Sequence, residues 1–366
     1  MINTPNPLQE TPLYSEHVKL KARMVPFAGW SMPVQYEGIL AEYEQTRRAV
    51  AVFDTTHMGE FIIEGNARES GLDRIVTQRI ADMPLKTCRY GAMLNEQGGI
   101  SDDLIVYRIS MDKWMVVVNA ADIEKKAEYF ERKLTKQSRF KDVSRETGKL
   151  DVQGPLSREV LADLVPAIHK LDYFTFDDFD LLGYKVIISR TGYTGELGYE
   201  IYFPWDKLTV LWQELLKNKK IKPAGLGARD VLRLEMGYSL YGQDLSLTIS
   251  PLEAGFHLFL DFEKDFIGKE ALLKQKQSGV KRKMIFFASD SRQSPRHHFK
   301  IFSDDKEIGM VTSGTFSPSL KKGIGMGLVD RTVDLKAKKL YVGENKNRIM
   351  VYLTQRPFYK NGSLRN

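Results

Sequence analysis

Two aspartates stand side by side in "NEQGGISDDLIVY" (95–107), where a polar, glycine-containing turn meets an apolar run. A carboxylate fixed on a strand can hold a developing positive charge or move a proton. The plainer reading is a pair of solvated acids beside a hairpin turn. Alternation along a strand sends the two side chains to opposite faces. Asp103 then shares a face with Ile105 and Tyr107, and Asp102 shares the other with Leu104 and Val106. Register decides what Asp103 meets. A four-residue loop over 95–98 sets Tyr90 directly opposite it, whereas a five-residue loop moves Asp103 away. A three-residue turn after Ile109 sets Asn119 opposite Asp103, and a four-residue turn is off by one. These geometries allow a Tyr90–Asp103–Asn119 cluster without demanding it.

Two other stretches could hold a ligand. In "SRTGYTGELGYE" (189–200), Gly192, Gly195 and Gly198 let the backbone turn sharply and approach another group closely. It reads either as a wide hairpin turn or as a loop presenting Tyr193 and Glu200 to a flat ligand. "LGARDVLRLEMGYSLYGQD" (226–244) places Arg229 and Arg233 at i, i+4 of a helix. That spacing is ordinarily a solvated, ion-paired face. It can also grip a carboxylate or a polar heterocycle edge, with Tyr238 and Tyr241 supplying stacking surface.

Several signals carry no chemistry. "GIGMG" (323–327) lacks the dinucleotide spacing and precedes a strand-like run. His297 and His298 are adjacent, would point apart on a strand and have no acidic ligands nearby in sequence. Cys88 is the single cysteine, so neither an intrachain disulfide nor a multi-cysteine zinc site is possible.

The elements around these residues mix strands and helices. "RYGAML", "ISDDLIVYRI" and "WMVVVN" predict an antiparallel meander over 89–119. "AADIEKKAEYFERKL" (120–134) predicts a helix with Ile123, Ala127, Phe130 and Leu134 on one face. A helix over 35–50 is expected to turn Ile39, Leu40, Tyr43 and Val50 to one side. "KLDVQG" (149–154) predicts a strand and 184–203 a strand pair. Asp206 is expected to cap a helix that carries Leu208, Leu211, Trp212 and Leu215 inward. Antiparallel pairs among helices argue α+β over a doubly wound parallel sheet. From about residue 279 every apolar run is short and β-like, which predicts an all-β barrel or sandwich. The expected division is therefore 1–278 and 279–366.

The 366 residues suit two or three domains, and 42% hydrophobic with 28% charged residues is ordinary for a globular protein. The net charge of +7 comes from scattered basic residues, with no RNA-recognition signature or zinc-finger spacing. No run approaches the ~18 apolar residues of a membrane span. The first residues resemble neither a signal peptide nor an Arg-rich transit peptide. A cytoplasmic protein that binds neither nucleic acid nor membrane is expected.

Taken together, "FAGWSMPVQY", "FDTTHMGE", "GGISDDLIVY", "SRTGYTGELGYE", "GLGARDVLRLE", "LYGQD", "DFIGKEAL" and "TSGTFSPSL" resemble the glycine cleavage T-protein family, in that family's order and over nearly the whole chain. The resemblance implies a folate-binding region of two interleaved α+β subdomains with antiparallel sheets, followed by an all-β barrel domain. It implies an aminomethyltransferase that takes the aminomethyl group from the lipoyl arm of the H-protein. The methylene carbon passes to tetrahydrofolate, giving 5,10-methylenetetrahydrofolate, and ammonia leaves. It implies no metal, flavin or nicotinamide.

By motif position, the resemblance makes Asp103 the catalytic carboxylate. It puts Met58, Tyr90 and Asn119 on the folate pocket and makes Tyr193, Glu200, Arg229 and Tyr238 further folate contacts. It sets Arg365 near the lipoyl-arm entrance. Glu200 would accept from the pterin N–H edge, and Arg229 would complement a pterin carbonyl or an acidic neighbour. "SLKKG" departs from the glycine common after this family's "FSP-x-L", with little effect expected. Relatives of the same superfold include a folate-binding accessory protein for iron–sulfur proteins, whose cysteine is missing from "YSLYGQD" here, and folate-dependent demethylases of small substrates. "GLGARD" and "LYGQD" look more like the T-protein.

Overall fold

The structure, a computed structural model, describes residues 7–335, 339–344 and 347–365. Residues 1–6 of the opening segment lie outside the described residues. Two antiparallel sheets build the first part of the chain. One has five strands in the order Cys88–Leu94, Ile100–Ser110, Lys113–Val118, Gly59–Glu64 and Arg139–Asp142. The other has six, in the order Phe176–Leu181, Tyr184–Ser189, Gly198–Pro204, Thr147–Gln153, Val50–Asp54 and Ile221–Pro223. Only the last of these runs parallel to its neighbour. Val50–Asp54 belongs to one sheet and the next strand, Gly59–Glu64, to the other, so the two α+β units are interleaved along the chain.

Each sheet buries one face on helices. Phe61, Leu104, Val106, Trp114 and Val116 pack against Phe130 of the Ile123–Lys133 helix. Val52, Leu150, Ile188 and Ile201 pack against Leu208, Leu211, Trp212 and Leu215 of the Leu208–Lys217 helix. The remaining faces meet each other, with Tyr107, Met115 and Val117 against Phe176 and Tyr202. Both faces of the Thr147–Gln153 strand are therefore buried, whereas Ser101, Asp103 and Ile105 on the Ile100–Ser110 strand stay partly exposed; buried polar residues need partners inside the protein.

The six strands from Arg282–Ser289 to Asn347–Thr354 close into a barrel. It seats on the Leu226–Glu235 helix, where Arg233 Nη2 donates to Ser313 Oγ at 2.8 Å and Ser317 Oγ donates to Glu235. Among the described residues no helix is long and apolar enough to cross a membrane.

Two local expectations are corrected. The Leu208–Lys217 helix follows a tight turn over Trp205–Lys207, and no side chain caps it; Asp206 instead pairs with Lys207 at 2.9 Å. The second helix ends at Arg48, and Val50 opens a strand. Its Ile39 and Leu40 are exposed, and its inward residues are Glu42, Tyr43 and Thr46. Glu42 is drawn in by backbone N–H groups of Tyr36, Gly38 and Gly225, which outweigh the apolar periodicity.

Candidate functional site

The Asp103 strand lies between the Cys88–Leu94 and Lys113–Val118 strands. On one side Leu104 pairs with Val118, which sets Asn119 opposite Asp103. Asn119 Nδ2 donates to Asp103 Oδ1 at 2.8 Å. On the other side the loop is longer than the four-residue case: Leu94 pairs with Ile100, and a bulge follows. Ala92 therefore stands opposite Asp103, and Tyr90 pairs with Ile105. Tyr90 is a same-face diagonal neighbour, within reach of a long side chain. Its hydroxyl donates to Asp103 Oδ2 at 2.8 Å. Phe256 and Phe259 pack edge-on against the Tyr90 ring, at 5.9 and 4.9 Å between centroids. Asp102 faces the other way and is fully buried, accepting from Asn119 N at 3.0 Å and Asn119 Nδ2 at 2.8 Å.

A second group forms on the facing sheet. Lys149 and Asp151 lie two residues apart on one strand and share a face. The Lys149 ammonium reaches Asp151 Oδ1 at 3.0 Å, Glu200 Oε1 at 2.5 Å and Met58 Sδ at 3.7 Å. Arg229 Nη1 reaches the other oxygen of Asp151 at 2.7 Å. Glu200 also accepts from Thr191 Oγ1. The arginines at i, i+4 are thus neither solvated nor equivalent. Arg229 joins this cluster, and buried Arg233 pairs with Asp244 at 2.8 Å, tying its helix to the segment that follows.

Tyr193 and Tyr238 bridge the two groups. Their rings stack at 5.7 Å, inclined by 21°. The Arg229 guanidinium lies 5.2 Å from the Tyr193 ring centroid, and the Tyr193 hydroxyl donates to the Ser239 carbonyl. The glycines around Tyr193 make room for Gln153. A Cβ at Gly192 or Gly198 would come within 2.1 or 2.2 Å of its side-chain oxygen, while Gly195 alone of the three needs a positive φ, +82°. The C-terminal tail docks on the same loop: Ser363 N and Oγ donate to Glu196 Oε2 at 2.8 and 2.6 Å. That brings exposed Arg365 near enough for its charge to act on Tyr173 and Tyr238.

The electrostatics of the two groups are opposite. Burial, then the charge of Asp102, pushes Asp103 up to about 7, against the hydrogen bonds from Tyr90 and Asn119. Burial also raises Asp151, but Lys149 and Arg229 outweigh it and hold that carboxyl well below the usual range. Burial, then the Asp103 charge, lifts the Tyr90 phenol well above 10. Two buried groups beside the Lys149 cluster keep unmatched atoms: both Glu60 carboxylate oxygens and His57 Nδ1. Buried polar atoms without a partner suit a ligand that brings its own hydrogen bonds. Stacked tyrosines, a carboxylate, a guanidinium and unmatched polar atoms in one region fit a flat, polar, nitrogen-rich heterocycle.

The candidate residues therefore fall into three groups, of which the second and third meet where Arg229 lies over Tyr193. Tyr90, Asp103 and Asn119 form one, Met58, Glu200 and Arg229 the second, and Tyr193, Tyr238 and Arg365 the third. Lys149, Asp151 and Asp102 were missed as members. Lys149 and Asp151 had a signal, two opposite charges at i, i+2 of one strand, on either side of Leu150. Among the described residues no group of three or more His, Cys, Asp or Glu side chains is arranged to hold a metal ion.

Comparison with known proteins agrees over the whole length. The GCVT N-terminal domain matches residues 13–264, and the glycine cleavage T-protein C-terminal barrel domain matches 282–360. An aminomethyltransferase of Pseudothermotoga lettingae is 41% identical over 367 residues, covering 98% of this chain and 100% of that one. One from Listeria innocua is 41% identical over 357 residues, covering 96% and 98%. The crystal structure of glycine cleavage system aminomethyltransferase T from Bartonella henselae superposes with a TM-score of 0.90 at 30% identity, covering 97% of this chain and 99% of that one.

Proposed function

The chain belongs to the glycine cleavage T-protein family, and from that premise we propose that it is an aminomethyltransferase with Asp103 as its catalytic carboxylate. The family uses tetrahydrofolate as substrate. The donor on this reading is the aminomethyl group on the lipoyl arm of the H-protein. In the reaction the carbon loses its bonds to sulfur and ammonia nitrogen and gains bonds to two folate nitrogens; the two folate N–H protons leave with the thiol and the ammonia.

The observation that carries the reading is the way Asp103 is held. It is aligned by neutral donors only, Tyr90 and Asn119, and stays near neutrality in its proton affinity. Such a group can take a proton from an amine nucleophile and return it to a departing one at neutral pH. In its ionised form it stabilises a carbon that turns iminium-like. Tyr193 and Tyr238 supply stacking surface for the pterin. Glu200 keeps acceptor capacity beyond its bonds to Lys149 and Thr191, because a carboxylate offers about four lone-pair sites. Arg229 is committed to Asp151, an acidic neighbour, which is one of the two partners expected for it beside a pterin carbonyl. Met58 borders Lys149, and Arg365 sits on the docked tail at the open side. Most of these residues position the two substrates, and proximity accounts for much of the rate.

On this reading residues 1–278 bind folate and 279–366 form the barrel domain, and no metal, flavin or nicotinamide takes part. The accessory-protein and demethylase readings are not favoured, since the matched relatives are aminomethyltransferases over the full length. The test is ammonia release from aminomethyl-lipoyl carrier, with and without tetrahydrofolate. Wild-type protein should need tetrahydrofolate, and Asp103→Asn should lose roughly 10²–10³ in rate. A folate-independent rate, or near-normal turnover by the variant, rejects the reading.

A further inference from the structure

On the reverse face of the sheet from Asp103, the Ile123–Lys133 helix lays a lysine against the aspartate that the mechanism leaves idle. Lys126 is 6% exposed on a helix that otherwise buries Phe130. Its ammonium lies 2.6 Å from Asp102 Oδ2 and donates to the Asn119 carbonyl at 2.8 Å. Asp102 in turn holds Asn119 by its backbone N–H and its side-chain amide. The same amide donates to Asp103 Oδ1 and to the Asp103 carbonyl at 2.9 Å. Lys126, Asp102, Asn119 and Asp103 thus form one continuous chain of contacts through the plane of the sheet.

We infer that Lys126 is a positioning residue for the transfer reaction: through Asp102 and Asn119 it fixes the orientation and the charge balance of Asp103. The inference rests on Asp103 being the catalytic carboxylate. Two physical points carry it. An unpaired ammonium or carboxylate is costly at such burial, so the pair survives only with both members charged and in contact. Asn119 has one side-chain amide nitrogen shared between the two acids, so Asp102 and Asp103 together set its rotamer. Loss of Lys126 frees Asp102 to take a proton, which turns an acceptor for Asn119 into a competing donor.

The other titratable groups facing Asp103 are Tyr90, Tyr193 and Tyr241, from the neighbouring strand, the glycine loop and the 238–244 segment. Burial lifts all three above their ordinary value of 10. Among the described residues the two acids and Lys126, with Arg229, Arg233 and Asp244 beyond Tyr193, set the charge around this point.

The experiment is steady-state transfer with aminomethyl-lipoyl carrier and tetrahydrofolate across pH 5.5–9, with folate affinity by calorimetry. Lys126→Met should lower kcat on the order of tenfold or more. The tetrahydrofolate Kd should stay within about threefold. With Asp102 protonated, the negative charge that adds to burial in raising Asp103 is gone, so the acid limb of the rate profile should move down by roughly 1 unit. Lys126→Arg keeps the charge and should restore the limb and most of kcat. If Lys126→Met does not fold, Lys126→Gln, which keeps a donor without the charge, carries the same pH test. An unmoved limb in the neutral variant overturns the inference, whether kcat is normal or low, as does an arginine variant that shifts the limb like methionine. Asp103→Asn, run alongside, separates the two levels: full turnover there defeats the Asp103 assignment itself.

Discussion

Each of the two sheets carries an aspartate where the sheets' polar residues meet, Asp151 fully buried and Asp103 partly exposed, and the sheets treat them differently. Asp151 is fully buried between Lys149 and Arg229, with two cations within 3.0 Å. Among the described residues the Asp103 side chain is hydrogen-bonded by a phenol and an amide and by no cation. The first is held far below the usual carboxylate range and the second is lifted to about 7. A structural carboxylate is given counter-ions, whereas one meant to exchange a proton is given neutral donors and a neighbouring negative charge. Lys126, on the other face of the sheet, is spent on Asp102.

The comparison can be broken from either end. Asp151→Ala leaves Lys149 and Arg229 facing each other across a buried gap, and should cost about 3–5 kcal/mol in denaturant unfolding at pH 7. A loss under 1 kcal/mol would mean that the two cations do not depend on it. Asp103→Asn should go the other way. Its folded-state value lies above its unfolded one, so the native carboxyl costs stability above pH 7, and the cost fades as pH falls toward 4. The asparagine variant should therefore be more stable than wild type by on the order of 2 kcal/mol at pH 8, with little difference at pH 4. Equal stabilisation at both pH values would contradict a raised Asp103.

Tyr90→Phe removes one of the donors that favour ionised Asp103. Transfer should slow by about tenfold or less, and the acid limb of its pH profile should rise by a few tenths of a unit. A downward shift would reverse the assigned polarity of that bond. An exposed pair gives the baseline. Lys185 and Asp180 meet at 2.7 Å with both side chains largely in solvent. Lys185→Ala should change unfolding by no more than ~0.5 kcal/mol, and less in high salt. A larger cost there would mean that burial is not what separates the two sheets' ion pairs.

Much of the Asp103 region was legible because strands obey a period of two. Alternation separated Asp102 from Asp103, while the turn count left Asn119 open: Ser110 pairs with Lys113, and an irregularity between Arg108 and Ser110 sets Asn119 opposite Asp103. The Tyr90 register was not legible, because a bulge after Leu94 adds a residue that no count of loop length reveals. Lys126 was hidden for another reason. It stands between apolar positions of an amphipathic helix, where a lysine ordinarily extends to water. Only the approach of that helix to the sheet turns it toward Asp102. Glu42 shows the same limit, since the backbone groups that draw it inward come from 36, 38 and 225.

By itself the amino-acid sequence determined the α+β class, the meander, the inward face of the Leu208–Lys217 helix and the all-β character of the C-terminal part, because these follow from local period and turn chemistry. It also carried the family, through ordered motifs along the chain. Only the tertiary structure decided which charges are paired and which are left alone. Pairing depends on the packing of one element against another, with distances of a few ångströms between residues up to about 190 positions apart, as between Arg47 and Glu235. The low polarizability of the interior then multiplies each such choice, so that Asp103 and Asp151, the same residue type on two similar strands, end up far apart in proton affinity.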